Sequence, residues 1–125
     1  MSKILIADDS RFQVELLSKP LKALGFDVVS ALDALQAWMT ALRVTPDAIV
    51  LDINMPGGSG IEVLRRLRIS TKTQHIPVIV VSGSVEPSIE ELARSLGAND
   101  FLRKPVDTGQ LCDALSCLCL QHTDL

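Results

Sequence analysis

Four short segments of this 125-residue chain are apolar from end to end: Ile4–Ala7, Ala48–Leu51, Val78–Val81 and the brief Phe101–Leu102. A strand with one wet face alternates apolar and polar side chains. One that does not alternate has both faces covered, which is the position of a strand inside a parallel sheet. A fifth, weaker run is Asp27–Ala31.

The stretches between these runs carry helical spacing. Leu17, Leu21 and Leu24 share one face, as do Leu35, Trp38/Met39 and Leu42. Ile61, Leu64 and Leu67 share another, with Arg65, Arg66 and Arg68 assigned to solvent; Ile89, Leu92 and Leu96 and then Leu111, Leu115 and Leu118 complete the set. Gly25 and Gly97 stand where helices stop, and Asp107 with Gln110 three residues on has the form of a capping box. Pro20 falls inside the first helix, where it removes a backbone donor, so a bend or early weakening is expected there. The pattern is (βα)5. Right-handed crossovers then place helices on both faces of an open sheet, a three-layer α/β/α sandwich. Residues 1–125 are expected to form one domain with no output domain attached.

Composition narrows the chemistry. Apolar residues make up 47% and aromatics 3%, with no Tyr, so the core has to be aliphatic. Twelve Lys and Arg against 15 Asp and Glu leave a net charge of −3, which argues against a basic nucleic-acid face. No segment reaches the roughly 20 apolar residues of a membrane span, and the opening Ile4–Ala7 is too short for a signal peptide. Cys112, Cys117 and Cys119 are odd in number and clustered, a poor disulfide framework and a poor metal site, so they read as small packing residues in a reduced, cytoplasmic protein.

In an open α/β sheet, ligands bind beyond the carboxyl ends of the strands. Asp8 and Asp9 follow the first run, Asp52 the third, Ser82 the fourth and Lys104 the fifth, whereas the second ends without such a group, as suits an edge strand. Like charges about 4 Å apart repel by on the order of 4 kcal/mol at an effective dielectric near 20, so three gathered carboxylates need a cation. Hard oxygen donors with room for water and phosphate suit Mg²⁺. Lys104 offers a mobile positive charge to a phosphoryl oxygen, and Ser82 a hydroxyl. Asp52 is then the natural nucleophile, because carboxylates form aspartyl phosphates when positioning and neutralisation are supplied. Each residue also has a plainer reading. Asp8-Asp9 fits a helix N-cap pair, Asp52 a turn or cap, Ser82 a turn hydroxyl and Lys104 an ordinary solvated lysine. Four strand ends on one rim favour the joint reading.

In series, ILIADDS, VLDINMPGGSG, IPVIVVSGS and GANDFLRKP resemble the receiver domain of two-component response regulators, in family order over nearly the whole chain. The resemblance implies a flavodoxin-like sheet of strand order 2-1-3-4-5. It implies a phosphoacceptor at Asp52, served by a histidine kinase or histidine phosphotransfer protein. Mg²⁺, with Mn²⁺ as an alternative, would be held by Asp9 directly, Asp8 through water, Asp52 and the backbone carbonyl of Asn54. Lys104 would contact the phosphoryl group and precede a cis bond to Pro105. Ser82 would be the switch hydroxyl and Phe101 the switch aromatic, the one drawn to the phosphoryl group and the other turning inward. Gly60, in the loop with Met55-Pro56, matches the family's loop glycine. Asn54 and Ser84, each two residues past a site residue, are expected to set water access and the lifetime of the phosphorylated state. Reversing a 1:99 equilibrium takes about 5.5 kcal/mol.

The output is expected at the fourth helix, fifth strand and fifth helix. Asp100 fits the charge network of winged-helix regulators there, but residues 105–125 hold no Lys or Arg, which speaks against a charge-paired dimer of that type. The last helix is apolar on more than one face through Cys117 and Leu120, so it is expected to meet a second copy or a missing output domain. No direct nucleic-acid or membrane contact is expected. His75 and His122 are assigned no role, and Trp38 is read as packing. Among rivals, a nucleotide or flavin binder lacks a phosphate loop and would meet Asp8-Asp9. A haloacid-dehalogenase-like phosphatase would need a DxD after the first strand, where ADDS stands. An unphosphorylated pseudo-receiver is opposed by the intact charges. The chain is therefore expected to be a phosphoacceptor and not an enzyme acting on other substrates.

Overall fold

The computed structural model describes residues 2–55, 59–84 and 86–123, with side chains described through Cys119. Pro56 and the side chains of Leu120 and His122 lie outside the described residues. Strands and helices alternate as β1 (Lys3–Ala7), α1 (Arg11–Ala23), β2 (Asp27–Ala31), α2 (Ala34–Val44), β3 (Ala48–Asp52), α3 (Gly60–Ile69), β4 (Val78–Ser82), α4 (Pro87–Ser95), β5 (Asp100–Arg103) and α5 (Thr108–Thr123). The five strands pair in parallel in the order β2-β1-β3-β4-β5. β3 and β4 are buried over their whole length and β1 over all but its first residue, whereas the edge strand β2 is half exposed.

Successive residues of a strand face opposite ways, and the two apolar faces of the sheet build two cores. Leu5, Ile49, Leu51, Val78 and Val80 pack with Ala37 and Ala41 of α2, Leu64 and Leu67 of α3, Ala93 of α4 and Phe101. On the other face Ile4, Ile6, Val50, Ile79 and Val81 pack with Leu17 and Leu21 of α1 and Leu111 and Leu115 of α5. Gly25 and Gly97 adopt φ of 94° and 96°, the left-handed conformation that ends a helix at no steric cost to glycine. Asp107 accepts a bond from the Gln110 N–H at 3.0 Å, the forward half of the expected box.

Several helix phases differ from the periodicity. α2 buries Ala34, Ala37 and Ala41 and leaves Leu35 and Met39 exposed, with Trp38 half-buried against the core. Two adjacent stripes satisfy the same 3.6-residue period, and the alanine stripe is the one that faces the sheet. Leu24 lies beyond the end of α1 and is exposed; in α4 the buried residue is Ala93 and Leu92 is exposed. Pro20 does not break α1, which runs on to Ala23. It sits in the last turn, where the bond it cannot donate is one of the final ones and the Leu24 N–H closes the helix onto Pro20 and Leu21. Arg68 is not a solvated residue: it donates to the carbonyls of Gln74, Ile76 and Gly97.

Candidate functional site

The sheet register decides which strand ends meet. Ala7 pairs with Leu51, Asp52 with Val81 and Ser82 with Arg103. Asp8 therefore leaves β1 at the level where Asp52 closes β3, with Ser82 one step further along β4 and Lys104 two steps further, just past the end of β5. Carboxylate oxygens of Asp8, Asp9 and Asp52 lie within 4.8 Å of one another. Among the described residues this is the one cluster of three or more side chains able to hold a metal ion; the cysteines take no part. Asp8 and Asp52 are 3% and 2% exposed, whereas Asp9 is open to solvent.

Lys104 Nζ lies 3.4 Å from Asp8 Oδ2 and 3.4 Å from Asp52 Oδ2. The remaining oxygens are taken by the backbone. Asp8 Oδ1 accepts from the Ser10 N–H at 2.9 Å, and Asp52 Oδ1 from the Asn54 N–H at 3.2 Å. Ser10, and not the acidic pair, caps α1: its Oγ accepts from the Gln13 N–H. Lys104 is likewise not an ordinary solvated lysine.

Burial pushes the Asp52 carboxyl above its ordinary value; the Asn54 N–H opposes this, Asp8 adds to it and Lys104 opposes it. Burial alone would lower the Lys104 amine, but Asp52 and Asp8 outweigh it and raise the amine above its usual value, so it stays charged. Three carboxylates around one ammonium leave negative charge uncompensated. All the donors are hard oxygens, the set that accepts a divalent cation such as Mg²⁺.

Ser82 is fully buried, and its Oγ accepts from the Ser84 N–H at 3.0 Å, so it is a turn hydroxyl as well as a rim residue. Ser84 Oγ in turn accepts from the Glu86 N–H. The Lys104 N–H donates to the Ser82 carbonyl at 2.9 Å, which ties the amine's backbone to the hydroxyl's. The Lys104–Pro105 bond is cis. Phe101 is 7% exposed, the inward of the two placements the resemblance implies. Asn54 is exposed and Ser84 half-buried at the rim.

Gly60 opens α3 against the backbone of the acidic site. Its N–H donates to the Ile53 carbonyl at 2.8 Å, and a Cβ there would come within 2.4 Å of the Asp52 carbonyl oxygen and 2.7 Å of Ile53 Cα. A side chain at this position has to move the strand end that carries Asp52. Sequence reasoning passed over Arg103, whose guanidinium reaches Ser84, Glu90 and the Phe101 ring. The available signal was its two-residue phase with Phe101, which puts both on one face of β5.

With the geometry in hand, known proteins supply a comparison. The sequence profile of the response regulator receiver domain matches residues 4–116. The protein RcaC of Microchaete diplosiphon is 36% identical over 114 residues, which cover 91% of this chain and 18% of RcaC. PilH of Pseudomonas aeruginosa is 35% identical over 107 residues, 86% of this chain and 88% of PilH. The chain thus spans about a fifth of one relative and most of the other. Among solved structures, the receiver domain of Francisella response regulator 1452 superposes with a TM-score of 0.90 at 26% identity, covering 98% of this chain and 99% of that one. The receiver domain of the sensor histidine kinase PA1611 from Pseudomonas aeruginosa, solved with a magnesium ion coordinated in its active-site cleft, gives 0.86 at 26% identity, covering 94% and 97%.

Proposed function

The chain belongs to the family of response regulator receiver domains, phosphorylation-activated switches of two-component signalling, and on that premise we propose that Asp52 is its phosphoacceptor. In this reading an Asp52 oxygen attacks the phosphorus of a phosphohistidine on a histidine kinase or phosphotransfer protein. The Oδ–P bond forms as the P–N bond to the donor imidazole breaks. The observation that carries the reading is the Lys104 amine at 3.4 Å from both Asp8 and Asp52, in a group of three carboxylates that it does not neutralise.

The residues divide the work. Lys104 holds a positive charge beside Asp52, where negative charge gathers on the transferred group. Ser82 stands on the adjoining strand end to donate a hydrogen bond to the phosphoryl oxygen, and Phe101 occupies the core behind it. Asp8, Asp9, Asp52 and the Asn54 carbonyl would hold the divalent cation, Mg²⁺ or Mn²⁺, and a bound cation neutralises phosphoryl oxygens. The PA1611 neighbour with its magnesium ion supports that assignment. Asn54 and Ser84 flank the acceptor from two loops and set water access to the acyl phosphate. Such a group adds about −1.5 to −2 charge and strong acceptor oxygens, enough to bias a two-state element.

We place the output on α4, β5 and α5, toward a second copy or an output domain. Glu90, Arg94, Asp100 and Arg103 already pair within the chain, so a second copy is not needed to satisfy them. Cys117 on α5 is exposed, which supports a partner for that face. Residues 1–125 act as one receiver domain in this reading, in a reduced, cytoplasmic setting; among the described residues no helix is long and apolar enough to cross a membrane.

Intact-mass measurement after incubation with Mg²⁺ and a small acyl phosphate tests the acceptor. One phosphate adduct is expected on the parent chain and none on Asp52→Asn. An adduct that survives in Asp52→Asn, or a parent chain that takes none, overturns the assignment, the latter in favour of a pseudo-receiver. Release of phosphate from many unrelated esters would favour a phosphatase.

A further inference from the structure

Arg103 is the last residue of β5 and the residue before Lys104. Strand alternation puts its side chain on the face of Phe101, and its guanidinium carbon lies 5.7 Å from the centroid of that ring. The same group donates through Nη1 to the Ser84 carbonyl, and its Nη2 lies 3.6 Å from Glu90 Oε1. Three separate parts of the fold converge on one side chain: the loop that leaves β4 after Ser82, the helix α4 and a buried aromatic ring. Glu90 is itself anchored, because Arg94 Nε donates to its Oε2 at 3.0 Å while Arg94 Nη2 lies 3.6 Å from Asp100 Oδ1. The charges therefore run Asp100–Arg94–Glu90–Arg103, from the start of β5 across α4 to its end.

We propose that Arg103 caps Phe101 in its buried position and ties the loop after Ser82 to it, so that the unmodified protein already favours the arrangement a phosphoryl group on Asp52 selects. The cap itself stands on the contacts above; its link to phosphorylation rests on the phosphoacceptor reading. For the ring to leave, the guanidinium over it has to move, and the bond to the Ser84 carbonyl goes with it. Loop, helix and ring are thus released together. By linkage, a contact that favours the buried-ring state beforehand makes the modification that selects that state easier. The chemistry calls for arginine. A planar cation lies flat on a ring and still donates from its edge to a carbonyl and a carboxylate, which a lysine ammonium cannot do at once.

The test compares the whole parent chain with Arg103→Ala, Arg103→Lys and Glu90→Gln. One readout is the Phe101 ring signals in the NMR spectrum of unphosphorylated protein, tractable because the chain has three Phe and no Tyr. The other is the initial rate of phosphate uptake from a small acyl phosphate with Mg²⁺, followed by intact mass. Arg103→Ala is expected to shift the Phe101 signals toward those of an exposed ring and to slow uptake by about three- to tenfold, with Arg103→Lys between it and the parent. Glu90→Gln keeps the stack and the Ser84 bond and is expected to stay within about twofold. Unchanged ring signals in Arg103→Ala overturn the cap, and moved signals with an unchanged rate overturn the bias. If the parent itself takes no phosphate, the acceptor reading has failed, and the ring signals still decide the cap. Urea midpoints check folding, and Arg103→Lys decides if the alanine variant unfolds.

Discussion

At the carboxyl ends of the strands the Lys104 amine faces two carboxylates, each at 3.4 Å, with a third close by. At the amino ends of β4 and β5 the Arg68 guanidinium faces no carboxylate among the described residues and donates to oxygens of neutral groups. These are the Gly97 carbonyl at 2.8 Å, the Ile76 carbonyl at 2.9 Å, the Gln74 carbonyl at 3.2 Å and Asn99 Oδ1 at 3.3 Å. Both cations are partly withdrawn from water. Burial lowers the pKa of Arg68, whereas the carboxylates around Lys104 outweigh burial and raise its pKa. The Arg68 site is closed: its donors have acceptors, and Gly97 leaves the room, since a Cβ there would stand 2.6 Å from Arg68 Nε. The Lys104 site is open, because one ammonium does not balance three carboxylates. Complete satisfaction locks the ends of two strands together, and incomplete neutralisation leaves a place for a ligand.

That contrast predicts opposite responses to substitution. The largest is expected from Lys104→Met, which should slow phosphate uptake by about 10²-fold or more while the chain stays folded, since a fixed charge at the reacting group acts on the transition state. Uptake curves by intact mass check this; a rate close to the parent's would make Lys104 a structural residue like Arg68. Arg68→Met should do the reverse. It leaves several carbonyls without their donor and is expected to cost about 2–3 kcal/mol in urea unfolding, with the final phosphorylated fraction unchanged. A loss of phosphorylation at unchanged stability would erase the distinction between the two ends.

The smallest change in stability is expected from Asp52→Asn, which should stabilise the fold by about 1 kcal/mol at neutral pH because it removes a buried, partly uncompensated charge. The sign follows from the raised carboxyl. The folded state holds that proton more tightly than the unfolded chain does. The associated stability is therefore whole below the unfolded pKa and is lost as pH rises through the folded one. Thermal melts from acidic to neutral pH should show this loss in the parent and not in the variant. Parallel profiles would remove Asp52 from the incompletely neutralised end of the sheet.

Much of this was legible beforehand. Four apolar runs and the weaker Asp27–Ala31 are five parallel strands, and Asp8, Asp9, Asp52, Ser82 and Lys104 come together on one rim. Gly60 fits a loop glycine by pattern, but its reason, the approach to the Asp52 carbonyl, lies in the backbone geometry. Less legible were residues whose partners lie in other elements. Beside Arg65 and Arg66, Arg68 reads as solvated; it turns inward because carbonyls from two other loops stand within reach. α2 shows the same limit, with Leu35 and Met39 outside and Ala37 and Ala41 inside.

By itself, then, the order of residues determined the strands and what stands at their ends. The reason is local: a run that never alternates has to be covered on both sides, and every parallel strand delivers its next residue to the same edge. Tertiary structure alone decided which of two adjacent helix stripes faces the sheet, which arginine is enclosed, and that Arg103 lies over Phe101. Those outcomes depend on distances between segments far apart in the chain, and helical or strand period is silent about distance across a gap.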